Sequence, residues 1–174
     1  MIAVGLSSCG VKEVASWTNM TQVSAGYSFI MGLREDGTVI AVGNNEEGQC
    51  DLSDWSDIVQ IAAGDFYSVG LTSNGRVLAK GDTEYKQCNV GSWENVIAIS
   101  ASGDLTVGLT SEGKVLVTGY ADDGQEKATE WSNIVAIAAC EGYILGLRSD
   151  GQVVKAGWAS DSLDKTIDSW KLWD

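Results

Sequence analysis

Twenty-four carboxylates and no histidine set the chemistry open to this chain of 174 residues. Two carboxylates facing each other across a cleft can run acid–base hydrolysis of the glycosidase kind. The adjacent acids Asp122 and Asp123 do not form such a pair, because neighbouring side chains on an extended backbone diverge. Carboxylates alone also leave few ways to activate a nucleophile, and a general base is most often histidine. The four cysteines, Cys9, Cys50, Cys88 and Cys140, include no Cys-x-x-Cys pair. With no histidine beside them they are poor candidates for zinc. No catalytic residue, metal ligand or cofactor is assigned, and the expectation is a protein that is not an enzyme. Small, reduced thiols are read as packing residues, which places the chain in the cytoplasm.

What remains is recognition, and the elements that would position it repeat. Trp17, Trp55, Trp93, Trp131 and Trp170 are spaced by 38, 38, 38 and 39 residues. Three glycine columns keep the same register: Gly32, Gly70, Gly108 and Gly146; Gly37, Gly75, Gly113 and Gly151; Gly43, Gly81, Gly119 and Gly157. Leu33, Leu71, Leu109 and Leu147 follow them, as do Val39, Val77, Val115 and Val153. The chain is therefore one domain, 1–174, with a partial repeat 1–16, full repeats 17–54, 55–92, 93–130 and 131–169, and the start of another at 170–174.

Each repeat reads as strands. "IVQIAAG" (58–64) and "YSVGLTS" (67–73) are short, apolar runs, followed by the turn "SNGR" and the run "VLAKG" (77–81). Asn-Gly and Asp-Gly between two such runs are hairpin signals, since glycine accepts positive φ. A fourth short run, "QCDL" or "QCNV", precedes the next tryptophan. Three or four antiparallel strands per roughly forty residues predict a β-propeller blade. The in-strand glycine is read as the mark of a close backbone approach near the central axis. The tryptophan column is read as the packing of one blade on the next.

The stretch "WSDIVQIAAGDFYSVGLTSNGRVLAKGDTEYKQC" and its weaker copies resemble the regulator of chromosome condensation repeat family. The wording is most similar to bacterial members, including propeller-type β-lactamase inhibitors. The resemblance implies a ring, usually of seven blades, that acts by binding other proteins. Many members carry histidine where this chain has Phe29, Tyr67, Leu105 and Tyr143. The exchange activity of eukaryotic members on a small GTPase is not carried over, because no residue here matches that role.

Strand parity puts the loop after strand one and the loop after strand three on a common face. All five tyrosines fall in those loops: Tyr27, Tyr67, Tyr85, Tyr120 and Tyr143. Phe29, Phe66 and Trp158 join them, with ten acids against one base, Lys86. Aromatic side chains are frequent binding hot spots, and surrounding acids steer a basic partner. The expected partner-binding set is Phe66, Tyr85, Tyr120, Trp158, Tyr27, Asp65, Glu84, Asp104, Asp122 and Asp161. The regular column Phe29, Tyr67 and Tyr143 is expected to tuck inward as structure instead.

Three functions compete on this evidence. The first is a non-enzymatic module, of a bacterium or its phage, that binds another protein with a basic patch, an inhibitor of a bacterial enzyme or defence protein being one form of it. The second is a self-assembling propeller with no separate partner. The third is a small-molecule binder or hydrolase in the axial funnel. A net charge of −13 with only eleven basic residues argues against nucleic acid and anionic membranes. No apolar run approaches the ~20 residues of a membrane helix. "LSSC" at 6–9 resembles a lipoprotein cleavage box, but "MIAVG" (1–5) aligns with "VIAVG" (39–43) and is read as a blade strand. Cys9, Cys50 and Cys88 share a column on successive blades, too distant for a disulfide. Four blades fall short of a seven-bladed ring, so two chains are expected to close one of eight or nine blades as a homodimer.

Overall fold

The computed structural model describes residues 14–158. The expected strand at 1–5, Cys9, Asp161, Trp170 and the expected repeat opening at 170–174 lie outside them. Alternating apolar runs broken by turns give an all-β fold, with twelve strands in four sheets among the described residues. The first sheet holds β1 (Met20–Ala25), β2 (Phe29–Arg34) and β3 (Val39–Gly43). The second holds β4 (Ile58–Ala63), β5 (Tyr67–Thr72) and β6 (Val77–Gly81), and the third β7 (Val96–Ser102), β8 (Leu105–Thr110) and β9 (Val115–Gly119). The fourth holds β10 (Ile134–Cys140), β11 (Tyr143–Arg148) and β12 (Val153–Gly157). Each is an antiparallel meander in chain order, hence a three-stranded blade.

The core lies between blades. Phe29, Met31, Leu33 and Val39 of blade 1 pack with Trp55, Ile58 and Ile61 of blade 2. Tyr67, Val69, Leu71 and Val77 do the same with Trp93, Val96 and Ile99. Leu105, Val107, Leu109 and Val115 meet Ile134 and Ile144, with Trp131 against them. The tryptophans thus pack at blade boundaries, as the repeat predicts.

The in-strand glycine has a different cause from the one expected. Gly70 sits on the middle strand of its blade, and a Cβ there would stand 2.7 Å from Cζ3 of Trp55. The same clash with Trp17, Trp93 and Trp131 would meet a Cβ at Gly32, Gly108 and Gly146. Glycine is needed because the tryptophan of its own repeat lies flat on the strand, not because a backbone crowds the axis.

The hairpin turns also differ in detail. Thr72 N–H bonds Arg76 C=O at 2.9 Å and Gly75 N–H bonds Thr72 C=O at 3.0 Å. Of the turn residues only Gly75 has positive φ, at 82°. This is a three-residue loop with a glycine bulge, not a two-residue Asn-Gly turn. The side chain before the glycine turns back to the N–H two residues on: Thr38 N–H donates to Asp36 Oδ1 at 2.9 Å, and Gln152 N–H to Asp150 Oδ1 at 3.0 Å. The Thr38 hydroxyl first, and then the Thr38 N–H, hold the Asp36 carboxyl below the usual range.

The fourth run is not a strand. In "QCDL" and "QCNV", Leu52 N–H bonds Cys50 C=O and Val90 N–H bonds Cys88 C=O, each at 2.9 Å. Tight local turns use the backbone that a fourth strand would need, while Leu52 and Val90 stay buried. In the third repeat a 3-10 helix, Gln125–Glu130, takes this place.

Candidate interaction face

The loops converge because strand ends and blade neighbours are both tied by backbone bonds. Where each third strand exits, Asn44, Asp82, Tyr120 and Trp158 donate N–H to Ser28, Phe66, Asp104 and Gly142 at 2.9, 3.1, 2.9 and 2.9 Å. This sets the loop after strand three against the loop after strand one within each blade. Between blades, Tyr27 N–H bonds Asp65 C=O at 3.1 Å and Asp65 N–H bonds Gly103 C=O at 3.0 Å. The first loops of blades 1, 2 and 3 are therefore a hydrogen-bonded chain along one face.

Two aromatic pairs stand there. Tyr27 and Phe66 lie with ring centroids 5.5 Å apart, tilted by 51°. Tyr85 and Tyr120 meet edge to face at 5.4 Å and 83°. Both pairs cross a blade boundary. Tyr27 is 75% exposed and Trp158 69%, while Tyr85 and Tyr120 are a little under half exposed. Phe66 is half-buried beneath Tyr27. Trp158 joins neither pair. Phe29 and Tyr67 are buried, as expected of a structural column, and Tyr143 is half-buried.

The acids gather beside the second pair. A cleft of about 240 Å³ between blades 3 and 4 is lined by Asp65, Asp104, Asp123 and Glu141, with Tyr120 as a wall. Burial pushes the Asp104 carboxyl above its usual value, and the charges of Asp82, Asp65 and Glu84 add to it. Glu84 and Asp122 are exposed on the adjoining loops. Of the expected set, Tyr27, Asp65 and Phe66 thus meet at one site and Tyr85, Asp104 and Tyr120 at the next. Asp161 lies outside the described residues.

A further column, unremarked in the sequence, builds these loops. Gln49, Gln87 and Gln125 are buried at 38-residue spacing. Each side-chain oxygen accepts the N–H two residues back, from Glu47 at 3.1 Å, Tyr85 at 3.0 Å and Asp123 at 3.0 Å. The amide nitrogens of Gln87 and Gln125 reach the next blade, at Asp104 Oδ1 (3.3 Å) and Gly142 C=O (2.9 Å). Their shared identity at one register was the available signal.

Cys50, Cys88 and Cys140 are free. Cys88 Sγ donates to Asp82 C=O at 3.1 Å. Burial, aided by Asp82, pushes its thiol up to about 11, and burial moves Cys50 the same way. Such thiols are poor nucleophiles. Among the described residues no group of three or more His, Cys, Asp or Glu could hold a metal ion, and no helix is long and apolar enough to cross a membrane.

Meander blades joined through tryptophan-lined boundaries define a β-propeller. Residues 20–49 and 58–87 match the regulator of chromosome condensation (RCC1) repeat. Human WBSCR16 is similar at 20% identity and a TM-score of 0.69, over 80% of this chain and 47% of that one. Prp20p from Saccharomyces cerevisiae is similar at 17% identity and 0.66, over 82% and 46%. The ectodomain of the Arabidopsis thaliana receptor kinase ACR4 is similar at 22% identity and 0.63, over 83% and 56%. The chain spans about half the length of these structures. No curated protein sequence matches the chain.

Two expectations change here. These three similar structures are human, yeast and plant proteins, so the resemblance holds for the repeat and the fold and not specifically for its bacterial, inhibitor-type form. The cytoplasmic setting is corrected as well. Prp20p is described by its binding to Gsp1p and histones, and yeast RCC1 (Prp20) in a complex with Kap60. Histones are the proteins of the nucleosome, so these relatives point to the nucleus. Free thiols could not separate the two compartments, because both are reducing.

Proposed function

We propose that this chain is a non-enzymatic, protein-binding propeller module whose loop face receives a basic surface of another protein. The observation that carries it is the convergence of two aromatic pairs and four cleft carboxylates on loops tied blade to blade. Rigid aromatics provide contact area, and like-signed acids provide steering and selectivity for a cationic partner. Prp20p is described as binding histones, which are basic, and that chemistry complements this face. Inhibition of a bacterial enzyme or defence protein is a narrower form that rests on the sequence resemblance alone. Core histones serve as the probe. Titration calorimetry is expected to detect binding that weakens with salt and drops at least about tenfold in a Tyr120→Ala, Trp158→Ala double variant, the loss of two hot-spot side chains. Absent binding, or binding indifferent to both changes, contradicts the reading.

A second reading concerns ring closure. Val23 is 47% exposed, whereas of its counterparts behind a preceding blade Ile61 and Ile99 are 2% and 4% exposed and Ile137 is half-buried. A second copy would cover that face and complete a ring of eight or nine blades as a homodimer. Light scattering at micromolar concentration is expected to report twice the chain mass of 18.4 kDa, and a particle of the single mass contradicts closure.

A further inference from the structure

Asn74 is the asparagine of this chain that precedes a glycine. Asn19, Asn44, Asn45, Asn89, Asn95 and Asn133 are followed by Met, Asn, Glu, Val, Val and Ile, whose side chains screen the next amide nitrogen. Asn74 lies in the hairpin turn between β5 and β6 and is exposed. Its Oδ1 stands 2.7 Å from Thr72 Oγ1 and accepts the Arg76 N–H at 3.3 Å. Its Nδ2 donates to nothing among the described residues. Donors at the oxygen polarise the side-chain carbonyl, and no bond holds the amide nitrogen that would leave. The nitrogen that would attack, Gly75 N, has no side chain beside it. Its N–H bonds Thr72 C=O at 3.0 Å, a bond that an exposed turn opens by local fluctuation.

We infer that Asn74 is a self-modification site, at which the chain converts its own asparagine to aspartate and isoaspartate. Gly75 N bonds to Asn74 Cγ, the Cγ–Nδ2 bond breaks, and ammonia leaves with the Gly75 proton. The product is a cyclic imide, which water opens. Attack of water at Cγ restores the Gly75 link to the main chain and leaves aspartate. Attack at the main-chain carbonyl leaves isoaspartate, in which the main chain runs through the side chain and is one carbon longer.

The two products differ in what they do to the fold. Aspartate already holds this place in two other turns, where Asp36 and Asp150 accept the N–H two residues on at 2.9 and 3.0 Å. Aspartate at 74 therefore fits and adds one negative charge. Isoaspartate displaces Gly75, whose C=O accepts the Val96 N–H at 3.0 Å and so ties the turn to the first strand of blade 3. The same tie runs from Ile58 to Gly37 and from Ile134 to Gly113, each at 3.1 Å. A longer main chain at 74 breaks the bond to Val96 and loosens the boundary between blades 2 and 3.

The test is to age the folded chain at body temperature and mildly alkaline pH, beside a synthetic peptide of residues 68–80 as the unfolded reference, and to map both by mass spectrometry. The segment holding residue 74 is expected to gain one mass unit before any other asparagine converts, and Asn74→Gln, with its longer side chain, should stop the gain. The isoaspartate form, separated from the aspartate form, is expected to melt about 2–4 °C below the parent, the worth of one backbone hydrogen bond in a chain of this size. Asn74→Asp should melt with the parent. A folded chain that keeps Asn74 while the peptide converts overturns the inference, as does earlier conversion of another asparagine. An isoaspartate form as stable as the parent overturns the link to blade 3.

Discussion

Gly70 and Trp55 act as one device. The indole takes the space that any side chain on Gly70 would fill, so the two columns hold the same period for one reason. Gly70→Ala forces a methyl into an occupied site and is expected to cost about 1–3 kcal/mol, the usual range for overpacking. Chemical denaturation reads this, and a variant as stable as the parent contradicts the stacking. Asp104 gives a second residue-scale prediction. Its carboxyl is raised first by burial and then by Asp82, Asp65 and Glu84. A raised acid favours the protonated folded state. Its contribution is therefore full below the ordinary value of 3.8 and is lost as pH rises through the raised folded value. Asp104→Asn keeps an oxygen for Gln87 and removes the charge. The variant should melt higher than the parent at neutral pH, with the gap closing in acid. A gap of constant size across pH would show that the charge is not the cause.

At the scale of elements, legibility in the sequence followed how each element earns its stability. Hairpins, middle-strand glycines and boundary tryptophans recur four times with fixed identity, because each depends on one local geometry, and a period reveals them. The side-chain amides of Gln22 and Gln60, which bond the N–H and C=O of Ile61 and Ile99 on the next blade, recur only twice and depend on a backbone 39 residues away. No single-column pattern announces that. The fourth run misleads for the opposite reason. "QCNV" has strand-like composition, but its N–H groups close local turns and its glutamine faces inward. The loop face was legible in outline from strand parity, while the pairing of Tyr27 with Phe66 and of Tyr85 with Tyr120 depends on blade-to-blade spacing that parity does not contain. Gln60→Ala is expected to destabilise by about 1–3 kcal/mol, since two bonds vanish and the buried Ile99 groups lose their partner. Equal denaturation midpoints for variant and parent would contradict a stabilising role for the Gln60 amide.

For the whole molecule the dominant quantity is a net charge of −13. Two effects of opposite sign follow. A basic partner is drawn in by that field, so its affinity should fall as salt rises. Two copies of the chain repel each other, so self-association by ring closure should strengthen over the same salt range. Calorimetry and sedimentation on one salt series separate the two, and matching trends would contradict the assignment of basic partner and self-contact to different faces.

The central claim is that loops distant in sequence form one docking face. Amide hydrogen exchange on the chain alone and with core histones bound tests it most directly. Protection is expected at 26–28, 64–66, 82–86, 102–104 and 120–124, with the hairpin turns 35–38, 73–76 and 111–114 unchanged. Protection confined to those hairpin turns would contradict the account.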